Sequence, residues 1–194
     1  MKPLFALYLL GGYLLGAVPF GLLVARVWGA PDPRTLGSRN IGATNVSRAA
    51  GKSAGVATLL LDAAKGAVPV ILTGLWFPAW QAALVGLAAF AGHCWPVYLR
   101  FRGGKGVATA LGVYAALSPL VLVGVLAVLV VGVRFTGFMS VGSMAGCLSA
   151  PLWMLALALP AEEIMVSLAM GLLVLFSHRA NLTRLRAGTE HGWR

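Results

Sequence analysis

Long apolar runs separated by short basic segments set the plan of this chain. The first run, from about Leu4 to Val27, meets no charge until Arg26. One lysine ahead of an apolar run resembles a secretory signal, but signal cores run to about 7–15 residues, so this longer one reads as a retained first span. Further crossings are read at about Ser53–Trp76, Gln81–Tyr98, Val141–Leu159 and Ile164–Phe176. Trp76-Phe77-Pro78-Ala79-Trp80 has the aromatic character of a membrane interface. The stretch Val107–Val133 holds 27 apolar-rich residues, enough for one tilted helix, since about 20 cross the hydrocarbon core. A single crossing, however, puts Arg134 and later the arginine-rich 179–194 segment outside, against the positive-inside rule. Two short helices breaking near Ser118-Pro119 restore the rule, because proline is disfavoured in a helix interior. The expectation is an all-α integral membrane protein of seven transmembrane helices, two of them short, with the amino terminus outside and the carboxyl terminus inside.

Composition agrees. Of 194 residues, 59% are hydrophobic and 10% charged, with a mean hydropathy of +0.88, outside the soluble range. Fifteen Lys and Arg face five Asp and Glu, a net charge of +10. In the seven-span reading every basic residue except Lys2 and Lys65 lies on or near the inner face. That excess suggests anionic partners at that face. With no basic-stripe motif and so apolar a chain, nucleic acid is not among them. Cys94 and Cys147 sit in apolar surroundings and read as small core hydrophobes. Residues 1–194 form one domain, without internal repeat or linker, and glycines and alanines such as Gly11, Gly12, Gly16, Ala82, Ala83 and Gly86 allow close helix packing.

The chemistry gathers on the inner segments. Arg100 to Thr109, RFRGGKGVAT, combines three cations with three glycines. Glycine lets backbone N–H groups approach a ligand and form an anion-cradling nest, and Lys105 adds charge. The same cations could serve orientation alone. Residues 37–45, GSRNIGATN, followed by Arg48, offer hydroxyl and amide groups from Ser38, Asn40, Thr44 and Asn45, and arginines able to grip oxyanions. A polar loop capping the second span is the plainer reading. In the third segment Ser140 and Ser143 are three apart and share a helical face; helix capping is their expected role. In the fourth, His178 and Asn181 are likewise three apart. Within the spans, Asp62 and Lys65 are spaced to form a structural ion pair, and His93 reads as a hydrogen-bonded packing residue. Asp32 and Glu190 are the inner face's only obvious carboxylates. No H-x-x-x-x-D acyltransferase dyad and no metal-ligand cluster occurs in the sequence. A site rich in cations and neutral donors and poor in acids suits two anionic substrates.

GSRNIGATN with Arg48, RGGKGVAT, and HRANLTRLRAGTEH resemble, in that order, the three cytoplasmic motifs of the bacterial acyl-phosphate:glycerol-3-phosphate acyltransferases, from about Leu9 to His191. The chain departs at Arg39, where the resemblance leads us to expect glycine. The resemblance implies transfer of a long-chain acyl group from acyl phosphate to glycerol 3-phosphate at the cytoplasmic face of the bacterial inner membrane, the first acylation of phospholipid synthesis. It implies no cofactor or metal, membrane lipid as surroundings, and a monomer. It implies catalytic roles for Ser38, Arg48, Lys105, His178 and Asn181. Asn40, Thr44, Asn45, Gly103, Gly104, Gly106 and Ser143 are expected to bind substrate, and Glu190 belongs to the third motif. Loop N–H groups with Lys105 are expected to hold one phosphate, Arg48, Asn181 and His178 the other, and Ser38 and Asn45 the developing oxyanion. The competing class is a transporter or flippase of an anionic phosphate metabolite or lipid. It calls for polar groups near the midplane or on both sides, often with internally repeated broken helices, whereas the outer turns here offer little besides Lys2 and the Glu162–Glu163 pair.

Overall fold

The computed structural model describes residues 2–193; Arg194 and the Lys2 side chain, both part of the charge argument, lie outside the described residues. Every regular element among the described residues is helical. Helices α1 (Lys2–Ala17) and α2 (Phe20–Val27) make one apolar length that breaks at Val18-Pro19, where proline supplies no N–H to a helical ladder. A short amphipathic helix, α3 (Ala43–Ala50), leads into α4 (Lys52–Gly74). Then come α5 (Ala79–Cys94), α6 (Val107–Leu117), α7 (Pro119–Thr136), α8 (Met139–Ala156), α9 (Ala161–Ser177) and α10 (Arg179–Arg186).

Five lengths are long and apolar enough to cross a membrane, six if the bent α9–α10 pair counts, and α6 is a shorter apolar helix. The 107–133 stretch does break at Ser118-Pro119, with Ser118 accepting from the Val121 N–H. Only its first half is short. α7 runs 18 residues, past Arg134 to a left-handed Gly137 (φ 77°). A cation in a last helical turn is favoured by the helix dipole, so Arg134 does not end the helix.

Close backbone approach holds the bundle together. α1 lies on α5, where a Cβ on Gly16 would run into the Ala89 backbone, and α4 lies on α6, where Gly66 and Gly112 meet the backbones of Thr109 and Ala63. Such small-residue contacts gain dispersion energy that lipid-facing leucines cannot supply. Phe90, Tyr114, Met154 and Met170 fill the interior, while Leu60, Leu120, Leu152 and Met165 point outward, as a hydrocarbon solvent allows. Asp62 and Lys65 pair at 2.8 Å, as their spacing predicts. His93 is buried, but its Nδ1 has no hydrogen-bond partner among the described residues, so it is not the satisfied packing histidine expected.

Candidate active site

The first polar segment is organised by Asn45, which is buried on α3. Its amide group donates to the carbonyls of Pro33 (2.6 Å), Asn40 (2.8 Å) and Leu36 (3.2 Å), and its Oδ1 accepts the Ser38 N–H at 3.0 Å. Both ends of the amide are committed to the loop. Asn45 therefore shapes the segment rather than donating to a substrate, a correction to the sequence reading. Asn40 Oδ1 accepts from Gly42 N at 2.8 Å and so forms the turn that starts α3, whose first turn carries the half-buried Thr44. Arg39 takes φ 56°, a left-handed conformation natural to glycine, which gives the departure at this position its physical meaning. Asp32 is not a free carboxylate: hydrogen bonds from Arg34 hold it, at 2.6 Å in the shortest contact, and keep its carboxyl below the usual range. Ser38 is half-buried with its hydroxyl uncommitted among the described residues, and Arg48, exposed on the last turn of α3, donates to the Gly192 carbonyl at 3.3 Å.

The glycine loop behaves differently from a simple nest. Gly103 N donates to Cys94 O (3.2 Å) and Gly104 N to His93 O (3.0 Å). A Cβ on Gly103 would strike the His93 carbonyl, one on Gly104 the His93 ring, and one on Gly106 the Phe90 ring. These glycines let the loop lie flat on the end of α5. The N–H groups of Gly103 and Gly104 are spent, so the expected cradle narrows to the first turn of α6, where Val107 to Thr109 have no internal acceptor and the dipole favours an anion. Lys105 makes no hydrogen bond or ion pair among the described residues. Burial pushes its ammonium down to about 8, opposed by the Glu190 carboxylate and reinforced by Arg184 and Arg48.

The third and fourth segments meet through Glu190. Its Oε1 accepts from Ser140 Oγ at 2.8 Å and from Asn181 Nδ2, and its Oε2 accepts from Arg184 Nε at 2.7 Å. Burial opposes its charge, but these hydrogen bonds keep the carboxyl below its usual range. The tail is pinned further by Trp193 N donating to Gly137 O at 2.8 Å. Ser140 thus serves Glu190 and does not cap α8, whose N-cap position is Phe138; Ser143 is buried one turn along. Asn181 Oδ1 is buried with no partner among the described residues.

His178 stands at the 53° bend between α9 and α10. Its Nδ1 lies 2.8 Å from Val174 O. A carbonyl only accepts, so Nδ1 carries the proton and Nε2 presents a lone pair. Burial, with Lys105 nearby, brings the imidazole down to about 4, leaving it neutral at pH 7.

The structure thus brings Arg48, Lys105, His178, Asn181, Arg184, Ser140 and Glu190 to one end of the bundle. Gly37, beside Ser38, packs against Arg48, which carries Ser38 to the same end. Sequence reasoning misses Arg184, one of several arginines in a basic run, takes Ser140 only for a helix cap, and misses the hub role of Glu190. A carboxylate nine residues beyond Asn181 on a polar turn was the available signal.

Comparison with known proteins places this geometry. The family model described as glycerol-3-phosphate acyltransferase matches residues 6–188. The glycerol-3-phosphate acyltransferase of Desulfotalea psychrophila is 46% identical over 94% of this chain and 94% of its own, and that of Geobacter sulfurreducens 46% identical over 92% of each. The crystal structure of PlsY (YgiH), an integral membrane glycerol 3-phosphate acyltransferase, in its glycerol 3-phosphate form superposes with a TM-score of 0.93 at 37% identity, covering 98% of this chain and 96% of that one. Its lysophosphatidic acid form gives 0.92 at 36%, covering 98% and 95%. With the family model covering nearly the whole chain and relatives matching along nearly their full length, this chain belongs to the glycerol-3-phosphate acyltransferase family and is a multi-pass membrane enzyme.

Proposed function

We propose that the enzyme takes its acyl group from acyl phosphate and delivers it to the sn-1 hydroxyl of glycerol 3-phosphate at the cytoplasmic face of the bacterial inner membrane, releasing lysophosphatidate and phosphate. The single observation that carries this reading is the pairing of unfilled acceptors with cations. His178 Nε2 and Asn181 Oδ1 await hydrogen-bond donors beside Lys105, Arg48 and Arg184. A small molecule with hydroxyls at one end and phosphate at the other satisfies both sets.

In this mechanism Asn181 Oδ1 and His178 Nε2 accept from the glycerol hydroxyls, while Arg48 and Lys105 hold the two phosphates. An imidazole near 4 is a weak base for an alcohol. His178 therefore orients the hydroxyl, and the phosphate of the donor takes its proton. The hydroxyl oxygen bonds to the acyl carbon as the bond from that carbon to the phosphate oxygen breaks, and phosphate leaves carrying the proton. The mixed anhydride is already activated, so positioning and charge stabilisation suffice without a covalent intermediate. The Ser38 hydroxyl donates to the developing oxyanion, Asn40, Thr44, Gly106 and Ser143 line the substrates, and Gly103 and Gly104 set the loop. Residues 1–194 act as one domain, in a monomer.

The same reading takes α6 as a seventh, short crossing, with the amino terminus outside and the carboxyl terminus inside. Phe5 of α1 packs at a tilt or edge-on against Phe77 and Trp80 at the α4–α5 turn, and Tyr8 edge-on against Phe77. That turn is separated from the site by the 23 residues of α4, about 34 Å at 1.5 Å per residue, which supports opposite faces.

Purified protein in lipid, given palmitoyl phosphate and glycerol 3-phosphate, tests the proposal by phosphate release. Release should require glycerol 3-phosphate and match it in stoichiometry, and acyl-CoA should not replace the donor. Release without acceptor, or activity with acyl-CoA, would overturn it.

A further inference from the structure

Beneath the glycine loop lies a second polar cluster that no step above uses. Asp62 and Lys65 of α4 and His93 of α5 are 2%, 2% and 4% exposed. Ionisable groups at such depth are costly and are retained where they do something specific. Lys65 Nζ lies 2.8 Å from Asp62 Oδ1 and donates at 2.8 Å to the Val18 carbonyl, where the first span breaks ahead of Pro19. Asp62 Oδ1 is also 3.6 Å from His93 Nδ1. The opposite edge of the His93 ring abuts Gly104, and the His93 carbonyl receives the Gly104 N–H at 3.0 Å. A pair serving only its own neutrality needs neither the histidine nor the backbone break. Here the carboxylate backs a ring whose other edge supports the loop presenting Lys105.

We propose that Asp62, Lys65 and His93 form a positioning unit that sets the height of the glycine loop, and with it the place where Lys105 meets a substrate phosphate. The inference rests on the reading that Lys105 holds a phosphate. The cluster touches no reacting atom; it acts through the loop backbone and the face of Gly104.

Steady-state kinetics of His93→Ala, Gly104→Ala, the double variant, Asp62→Asn and Lys105→Met, each with a thermal unfolding curve in detergent, test it. Displacing a positioning group by about an ångström costs up to about 100-fold. His93→Ala and Asp62→Asn should therefore raise KM for the substrate whose KM responds to Lys105→Met, by about tenfold, with kcat changed much less. Gly104→Ala drives a methyl into the His93 ring and should lose more. Removing the ring makes room for the methyl, so the double variant should return to the level of His93→Ala instead of showing both losses combined. Activity falling only in proportion to folded protein, with KM unchanged, would overturn the inference, as would a double variant no better than Gly104→Ala. If Lys105→Met itself left both KM values unchanged, the phosphate reading would fail first, and this inference with it.

Discussion

Replacing Glu190 by glutamine probes the junction on which three segments converge. The carboxylate takes Ser140 and Asn181 on one oxygen and Arg184 on the other, and its side chain is 5% exposed. Glutamine keeps one acceptor oxygen. If that oxygen stays with Ser140 and Asn181, its NH₂ group faces the Arg184 N–H, donor against donor. A hydrogen bond to a charged group is worth about 1.5–3 kcal/mol. Arg184 is 29% exposed, so water recovers part of the loss and the lower end applies, about 1.5 kcal/mol. Passed to the orientation of Asn181, that is about tenfold in kcat/KM for glycerol 3-phosphate. The charge change has a second, separable consequence. Glu190 is the group that holds the Lys105 ammonium up, so its neutralisation should move the alkaline rise in KM below about 8. The Glu190 carboxyl sits below its ordinary 4.5 in the folded state. Its contribution to stability is therefore complete above 4.5 and is lost as pH falls through the lowered value. The assay is phosphate release against glycerol 3-phosphate concentration from pH 6 to 9, with unfolding followed in parallel. A variant whose kcat/KM stays within twofold and whose alkaline limb does not move would refute the reasoning.

Other outcomes follow from the same geometry. In the wild type, KM for the substrate held by Lys105 should rise as pH passes about 8, where that lysine loses its proton, and Lys105→Met should abolish the rise. Because His178 is held near 4, the pH–rate profile should show no limb from it near 6.5, and His178→Gln should lower kcat without moving the acid side above pH 5; an acid limb near 6.5 that vanishes in this variant would make His178 the base. Arg39→Gly should keep activity and keep or raise stability, because glycine takes φ 56° without the Cβ strain that arginine already bears, whereas Arg39→Val, whose branched Cβ is disfavoured further at positive φ, should lower the midpoint of an unfolding curve.

Much of the scaffold is legible in the residue pattern because each sign has one physical meaning. Ser118 ahead of Pro119 marks both a cap and a first helical position, so the break there is legible, although Pro69 and Pro151 are carried inside α4 and α8, and the Asp62–Lys65 spacing has one cheap solution in hydrocarbon. The helix α3 is not legible, since Thr44, Asn45 and Ser47 are indifferent helix formers and its fold depends on where the Asn45 amide finds carbonyls. Glycine is ambiguous for another reason: the same missing Cβ serves an anion nest or close packing, and only the position of His93 decides for packing at Gly103 and Gly104. Glu190 gathers the site through a turn of the tail that no local periodicity encodes. The length of α7 was hidden because Arg134 reads as a boundary in sequence, though it sits comfortably in a final helical turn.

In the proposed mechanism the four polar segments share one water-facing rim. Both native cysteines are buried, so single cysteines placed at Asn40, Arg102, Thr136 and Thr189 can be labelled selectively with a membrane-impermeant maleimide. All four should react with reagent added outside inverted vesicles, whose outer surface is the cytoplasmic face, and none in intact spheroplasts, with Asn40→Cys and Thr189→Cys slowed by glycerol 3-phosphate. Labelling divided between the two preparations would contradict it.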